Sequence, residues 1–141
     1  MIRELEGTLT QIGSESATIN IGGLGLGVFM PAPTLVTLPP LGGRAKVFTY
    51  LSVREDSLTL FGFKSPTDLE LFEALLKVAS VGPKVALKVM NIPAPELRRA
   101  ISAGDANLMP PINGVGPKIR RAIVQTLKDT AAAVAVAGEG A

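Results

Sequence analysis

The chain has 141 residues, 47% hydrophobic and 18% charged, a balance that supports a folded core and argues against disorder through most of its length. It has no cysteine and no histidine, which excludes disulfides, zinc sites built on those ligands and histidine-based acid–base catalysis. The net charge is only +2, no apolar run approaches the roughly 20 residues of a membrane span, and the N-terminus lacks a signal-peptide pattern. A soluble cytoplasmic protein with no membrane partner is expected.

Residues 1–62 read as strands. Ile2–Ile12, Ala17–Ile21, Leu26–Met30, Ala45–Leu51 and Ser57–Phe63 are β-branched or alternating runs separated by Gly and Pro clusters. Five short strands in so little chain predict a small barrel of the OB type. Gly22-Gly23-Leu24-Gly25-Leu26-Gly27 superficially resembles a dinucleotide fingerprint, but that motif requires a helix next. Val28-Phe29-Met30-Pro31 reads instead as another strand, so a glycine-rich hairpin turn is expected. Glu55-Asp56 falls between two strands, where an exposed hairpin tip belongs. On the residues alone it is a solvated turn.

From residue 64 the periodicity becomes helical. Ser65-Pro66-Thr67-Asp68 offers an N-cap, a Pro at the first helical position and an acid at the third. Leu69, Phe72, Leu76 and Ala79 then mark one face. A second helix follows Pro83, burying Val85, Ala86, Val89 and Met90, and a third starts at Pro95 with Leu97, Ala100 and Ile101 inward. After a turn around Asp105–Met109, a last helix follows Pro117 and buries Ile119, Ala122, Ile123 and Leu127. Beyond Asp129 the Ala-, Val- and Gly-rich stretch reads as a fraying helix end and a linker.

The charge is uneven: residues 1–62 carry four basic and five acidic groups, and the remainder ten and seven. Within the basic part lies a near-repeat. Ser80-Val81-Gly82-Pro83-Lys84 returns 34 residues later as Gly114-Val115-Gly116-Pro117-Lys118. Each copy predicts a tight turn feeding a helix, with Pro at the first helical position and Lys beside the first turn. Free amides and a Lys at a helix start form an anion cradle. Two cradles on one chain point to a polyanion gripped at spaced phosphates, hence nucleic acid. Lys84 and Lys118 are the leading phosphate partners, with Lys88, Arg120 and Arg121 behind them. Backbone contacts of this kind position a duplex without reading its sequence.

Enzymatic readings fail. The NTPase loop Gly-x-x-x-x-Gly-Lys-Ser/Thr does not occur, and Glu55-Asp56 lacks the converging carboxylates of a metal-dependent nuclease. No catalytic residue, metal or cofactor is assigned. Two other classes remain. A single-strand-binding OB module would need aromatic platforms, and the barrel half has only Phe29, Phe48, Tyr50 and Phe61, mostly at positions expected to be buried. A general duplex-binding helix-hairpin-helix scaffold without junction preference is the other alternative.

Three segments carry a closer resemblance: Val53-Arg54-Glu55-Asp56 running to Leu60-Phe61-Gly62-Phe63; Leu71-Phe72 through Val81-Gly82-Pro83-Lys84-Val85-Ala86-Leu87; and Gly114-Val115-Gly116 to Leu127-Lys128-Asp129. The chain resembles the RuvA family over roughly residues 1–130. That resemblance implies an α+β protein, with an N-terminal OB-fold β-barrel over 1–63 followed by an all-α tandem helix-hairpin-helix domain over 64–130. A flexible tail or linker follows over 131–141. It implies binding of four-way (Holliday) junction DNA by a homotetramer or octamer, which holds the junction open for ATP-driven branch migration by a RuvB-type motor. Under the resemblance, Ser80, Val81, Gly82, Lys84, Lys88, Gly114, Val115, Gly116, Lys118, Arg120 and Arg121 contact DNA. Glu55 and Asp56 match the family's acidic pin, eight carboxylates per tetramer.

The chain departs from the family at three places. Ser80 stands where Gly is common, Pro110-Pro111-Ile112-Asn113 precedes the second turn, and Ile119-Arg120-Arg121-Ala122 replaces the usual Thr-Ala-Glu-Arg. The family's motor-binding third domain has no counterpart in this sequence, so motor recruitment is not assigned to these residues.

Overall fold

A computed structural model describes residues 1–129, and the expected tail at 131–141 lies outside the described residues. The chain forms two compact units, Met1–Leu69 and Glu70 onward.

The first unit is a closed five-strand barrel: β1 (Glu4–Ile12), β2 (Ser16–Ile21), β3 (Leu24–Phe29), β4 (Arg44–Val53) and β5 (Leu58–Phe63). Around the barrel the strands run β1-β2-β3-β5-β4, and β4 returns to β1. Every pairing is antiparallel except that of β3 with β5, giving an OB-fold-like topology. Alternation explains the pattern: Leu5, Gly7 and Leu9 of β1 face inward while their neighbours face water. Leu9, Ile19, Val28 and Val47 meet in the core, each 1% exposed or less. Each such side chain contributes roughly 1.5–3 kcal/mol by leaving water. The surface pairs Glu6–Arg44 and Glu4–Lys46, both 3.6 Å and about half exposed or more, add little by comparison.

The glycine-rich segment is a hairpin turn, as expected. Gly22 and Gly23 both take positive φ (61° and 98°), the backbone of a two-residue connection between twisted strands. Asn20 Oδ1 accepts from Gly23 N at 2.9 Å, and β3 follows in place of the helix that a dinucleotide site needs. One short helix was not anticipated: α1 (Ala32–Leu35), with Pro in its first turn, where a missing N–H costs nothing. Its Thr34 is fully buried, and the hydroxyl accepts from Lys64 N at 3.2 Å.

The helices are α2 (Pro66–Leu75), α3 (Pro83–Val89), α4 (Ala94–Ala103) and α5 (Pro117–Lys128), with a 3-10 turn at Ala106–Leu108. Ser65 caps α2 as expected, its Oγ accepting from Asp68 N at 3.1 Å. The buried face of α2 differs from the simple periodicity. Past Leu75 the bonds tighten to three-residue spacing (Lys77 N to Ala74 O, Val78 N to Leu75 O), so Val78 turns inward. Ala79 is left exposed and Leu76 half-buried, against expectation. In α5, Val124 is buried with Ile123 and Leu127, whereas Ile119 and Ala122 are only half-buried. Helix α5 packs on α4 and on the 3-10 turn.

Candidate nucleic-acid interface

The two copies of the near-repeat adopt one local geometry. Ser80 and Gly114 stand at equivalent positions with φ of 69° and 83°, in the left-handed region. Val81 N then bonds Val78 O, and Val115 N bonds Ile112 O, each at 3.1 Å. Gly82 (φ −96°, ψ −178°) and Gly116 (φ −78°, ψ 173°) are extended N-cap residues, followed by Pro83 and Pro117 at the helix starts. Ala86 N and Arg120 N close the first helical bonds onto the carbonyls of Gly82 and Gly116.

Neither N-cap offers a side chain to the helix amides. Most helix starts satisfy those donors with Ser, Thr, Asp or Asn. Here they remain open to an external acceptor, and Lys84 and Lys118, both exposed, stand in the same first turn. An anion approaching either turn meets amides and an ammonium together.

The two cap glycines are informative because the fold does not require them. Neither has a positive φ, and a Cβ added at either would meet nothing within 4 Å. Two physical uses for glycine remain there, a modest N-cap preference over Ala and room for close approach by something outside the chain. Gly116→Ala should therefore leave stability within about 0.5 kcal/mol, since unfolded-state and capping effects of similar size oppose each other. Anion binding at that turn should weaken about tenfold or more, the methyl group standing in the path of the ligand. Thermal unfolding and a DNA titration on one preparation check both parts.

Ser80 is different. A left-handed backbone is strained for any residue with a Cβ, so Ser80→Gly should stabilise the protein by about 1 kcal/mol. Chemical denaturation checks it: an unchanged midpoint would mean that the turn tolerates Ser without strain.

Several expected contacts are relocated. Val81 and Val115 are buried (6% and 8% exposed), so their side chains anchor the turns inward and only their backbone is available to DNA. Lys88 donates from Nζ to Asn113 O at 3.3 Å, which ties α3 to the second turn. Arg120, expected as a phosphate partner, is committed elsewhere. Its Nη2 donates to Ala106 O at 2.9 Å and to Met109 O at 2.5 Å, the first carbonyl of the 3-10 turn and that of its C-cap residue. Arg121 is exposed and stays available.

In the barrel unit, Glu55 and Asp56 occupy the tip of the β4–β5 hairpin, closed by Arg54 N to Ser57 O at 2.9 Å. Both are exposed. Directly beneath, the cross-strand pair Val53 and Leu58 is also exposed, at 60% and 72%. The hairpin thus carries an acidic tip above two exposed apolar side chains. The barrel aromatics are less buried than expected: Phe61 is inside, Phe48 and Tyr50 are half-buried and Phe29 is 41% exposed. One exposed ring does not make a stacking platform for successive bases. Among the described residues no cluster of acidic side chains is placed to hold a metal, and no helix is long and apolar enough to cross a membrane.

The chain thus combines an OB-like barrel carrying an acidic hairpin tip with helices whose two matched turns have no side-chain cap and an exposed lysine each. Comparison with known proteins identifies the family. A family model described as the RuvA N terminal domain matches residues 1–62. A Holliday junction branch migration complex subunit RuvA from Caldanaerobacter subterraneus subsp. tengcongensis is 40% identical over 130 residues, covering 92% of this chain and 70% of the relative. The protein of that name from Dehalococcoides mccartyi is 42% identical over 130 residues, 92% of this chain and 67% of its own. That from Symbiobacterium thermophilum is 40% identical over 141 residues, 99% of this chain and 69% of its own. The chain belongs to the RuvA family.

Proposed function

We propose that the chain is a structure-selective DNA-binding subunit that holds four-way junctions open for branch migration driven by a separate ATPase. Residues 64–130 act as a tandem helix-hairpin-helix domain, and residues 1–63 as an OB-fold domain carrying the acidic pin. The observation that carries the reading is the matched pair of turns: equal backbone geometry, uncapped amides, glycine the fold does not need, and Lys84 and Lys118 in register. Two copies per chain grip phosphates without reading bases. Arg121 adds exposed positive charge near the second grip.

Selectivity is assigned to Glu55 and Asp56. Four chains around a junction would place eight carboxylates at its centre, where a continuous duplex must pass but the strands of an open crossover splay aside. A penalty on the wrong ligand gives discrimination without tighter binding of the right one. The exposed Val53 and Leu58 supply apolar surface for assembly with further copies. Membership of a family whose named relatives are branch migration subunits supports a RuvB-type motor as the partner that uses ATP. The chain itself performs no chemistry in this account.

Energy transfer between dyes on adjacent arm ends tests the reading. With saturating protein, all adjacent arm pairs should give the same transfer efficiency, as in an open and flat junction bound by four chains. Unequal efficiencies, as from arms stacked in pairs, would contradict it.

A further inference from the structure

The two turns match in backbone but not in what supports them. Allowing for the 34-residue offset, Arg120 occupies the position of Ala86, and Ala122 that of Lys88. Ala86 is fully buried in the first copy. In the second copy the same position sends a guanidinium to the carbonyls of Ala106 and Met109.

The chain leading into each turn explains the exchange. Before Ser80 the chain is helical, and its carbonyls find donors within the same stretch, at Leu76, Lys77 and Val78. Before Gly114 it is a 3-10 turn followed by Pro110-Pro111, residues with no N–H to give. Ala106 O receives Met109 N at 3.1 Å and then needs support from elsewhere to fix the segment beyond. Arg120 reaches it from α5 and Lys88 reaches Asn113 O from α3, so two cations from separate helices hold the approach and the turn. The Lys88 ammonium also lies 3.8 Å from where a Cβ on Gly114 would stand.

We infer that Lys88 and Arg120 are positioning residues that set the second turn for its phosphate and are not themselves phosphate ligands. This rests on the phosphate-binding reading above. Both Arg120 bonds leave one nitrogen, Nη2, which joins the carbonyls of Ala106 and Met109 through a single donor group.

The test uses Arg120→Met and Lys88→Met in the full chain with two readouts. Amide exchange followed by NMR reports the turn without DNA, with Val115 as the probe and the equivalent Val81 as internal reference. Exchange at Val115 should quicken about 10-fold or more in either variant, with Val81 unchanged, as expected for losing a charge-assisted hydrogen bond. Junction affinity should fall by about 3- to 30-fold, while the slope of log affinity against log salt keeps its wild-type value, because the number of neutralised phosphates is unchanged.

A slope reduced by roughly 0.9 for each lost contact, with exchange at Val115 unchanged, would overturn the inference and make these residues phosphate ligands. Unchanged exchange and unchanged affinity would overturn it as well, leaving two solvated charges. If Arg120→Met fails to fold, Lys88→Met decides, since the Lys88 side chain is exposed and outside the core. Should the wild-type chain bind no DNA, the functional reading fails, and the exchange at Val115 still decides whether the two cations position the turn.

Discussion

Replacing Glu55 by Gln and Asp56 by Asn should raise affinity for linear duplex by about 30- to 100-fold while changing junction affinity much less. The estimate starts from one pair. A carboxylate about 7 Å from a phosphate in water is repelled by about 0.6 kcal/mol, and counterions at physiological salt roughly halve that. Eight carboxylates at a tetramer's centre then penalise a duplex crossing it by about 2–3 kcal/mol. Both side chains are exposed at a hairpin tip with no role in the core, so the double variant should unfold at the wild-type temperature. Competition anisotropy with labelled junction and unlabelled duplex measures the change. Selectivity equal to that of the wild type would remove the acidic tip from the account.

Lys118→Ala should weaken junction and duplex alike. If four chains each lose one phosphate contact, the log–log salt slope falls by about 3.6, and affinity near 0.15 M salt by up to about 10³-fold. Lys84→Ala should match it, because its turn has the same geometry. The contrast with the acidic variant is the point: under the proposal the lysines set how tightly any DNA is held, and the carboxylates set which DNA. Titrations from 0.05 to 0.3 M salt, taken as roughly one decade of useful range, separate the two. An unchanged slope would return Lys118 to the status of a solvated surface residue.

The barrel was legible because its strands bury one face and alternate with period two, so Leu5, Leu9, Ile19 and Val28 announce their own side. The helix starts were equally plain, since Ser65, Pro83 and Pro117 act through local chemistry. What the residues alone did not reveal depends on partners distant in sequence. The register shift between Leu9 and Gln11 is set by pairing with β2. The short α1 hid behind Pro31 and Pro33, which read as breakers though one sits where a helix accepts it. The inward turn of Val78 comes from tightening at the end of α2, which a constant period cannot anticipate.

In the site, the repeat aligned Ser80 with Gly114 and predicted a tight turn at each, while their shared left-handed backbone is visible only in the structure. The intramolecular partners of Arg120 and Lys88 were not legible in the sequence for a clear reason. Basic residues beside such a turn look alike in sequence, and only the structure shows which of them reach the carbonyls of Ala106, Met109 and Asn113. Pro110-Pro111 was the available signal, because a stretch without amide donors must borrow its support.

The most direct test of the central claim is a competition titration of a four-way junction against linear duplex built from the same sequences, at near-physiological salt. The account predicts that the junction wins by at least about 30-fold, the factor assigned to the acidic tip. Equal affinity would contradict it and leave a general duplex-binding protein on the same fold.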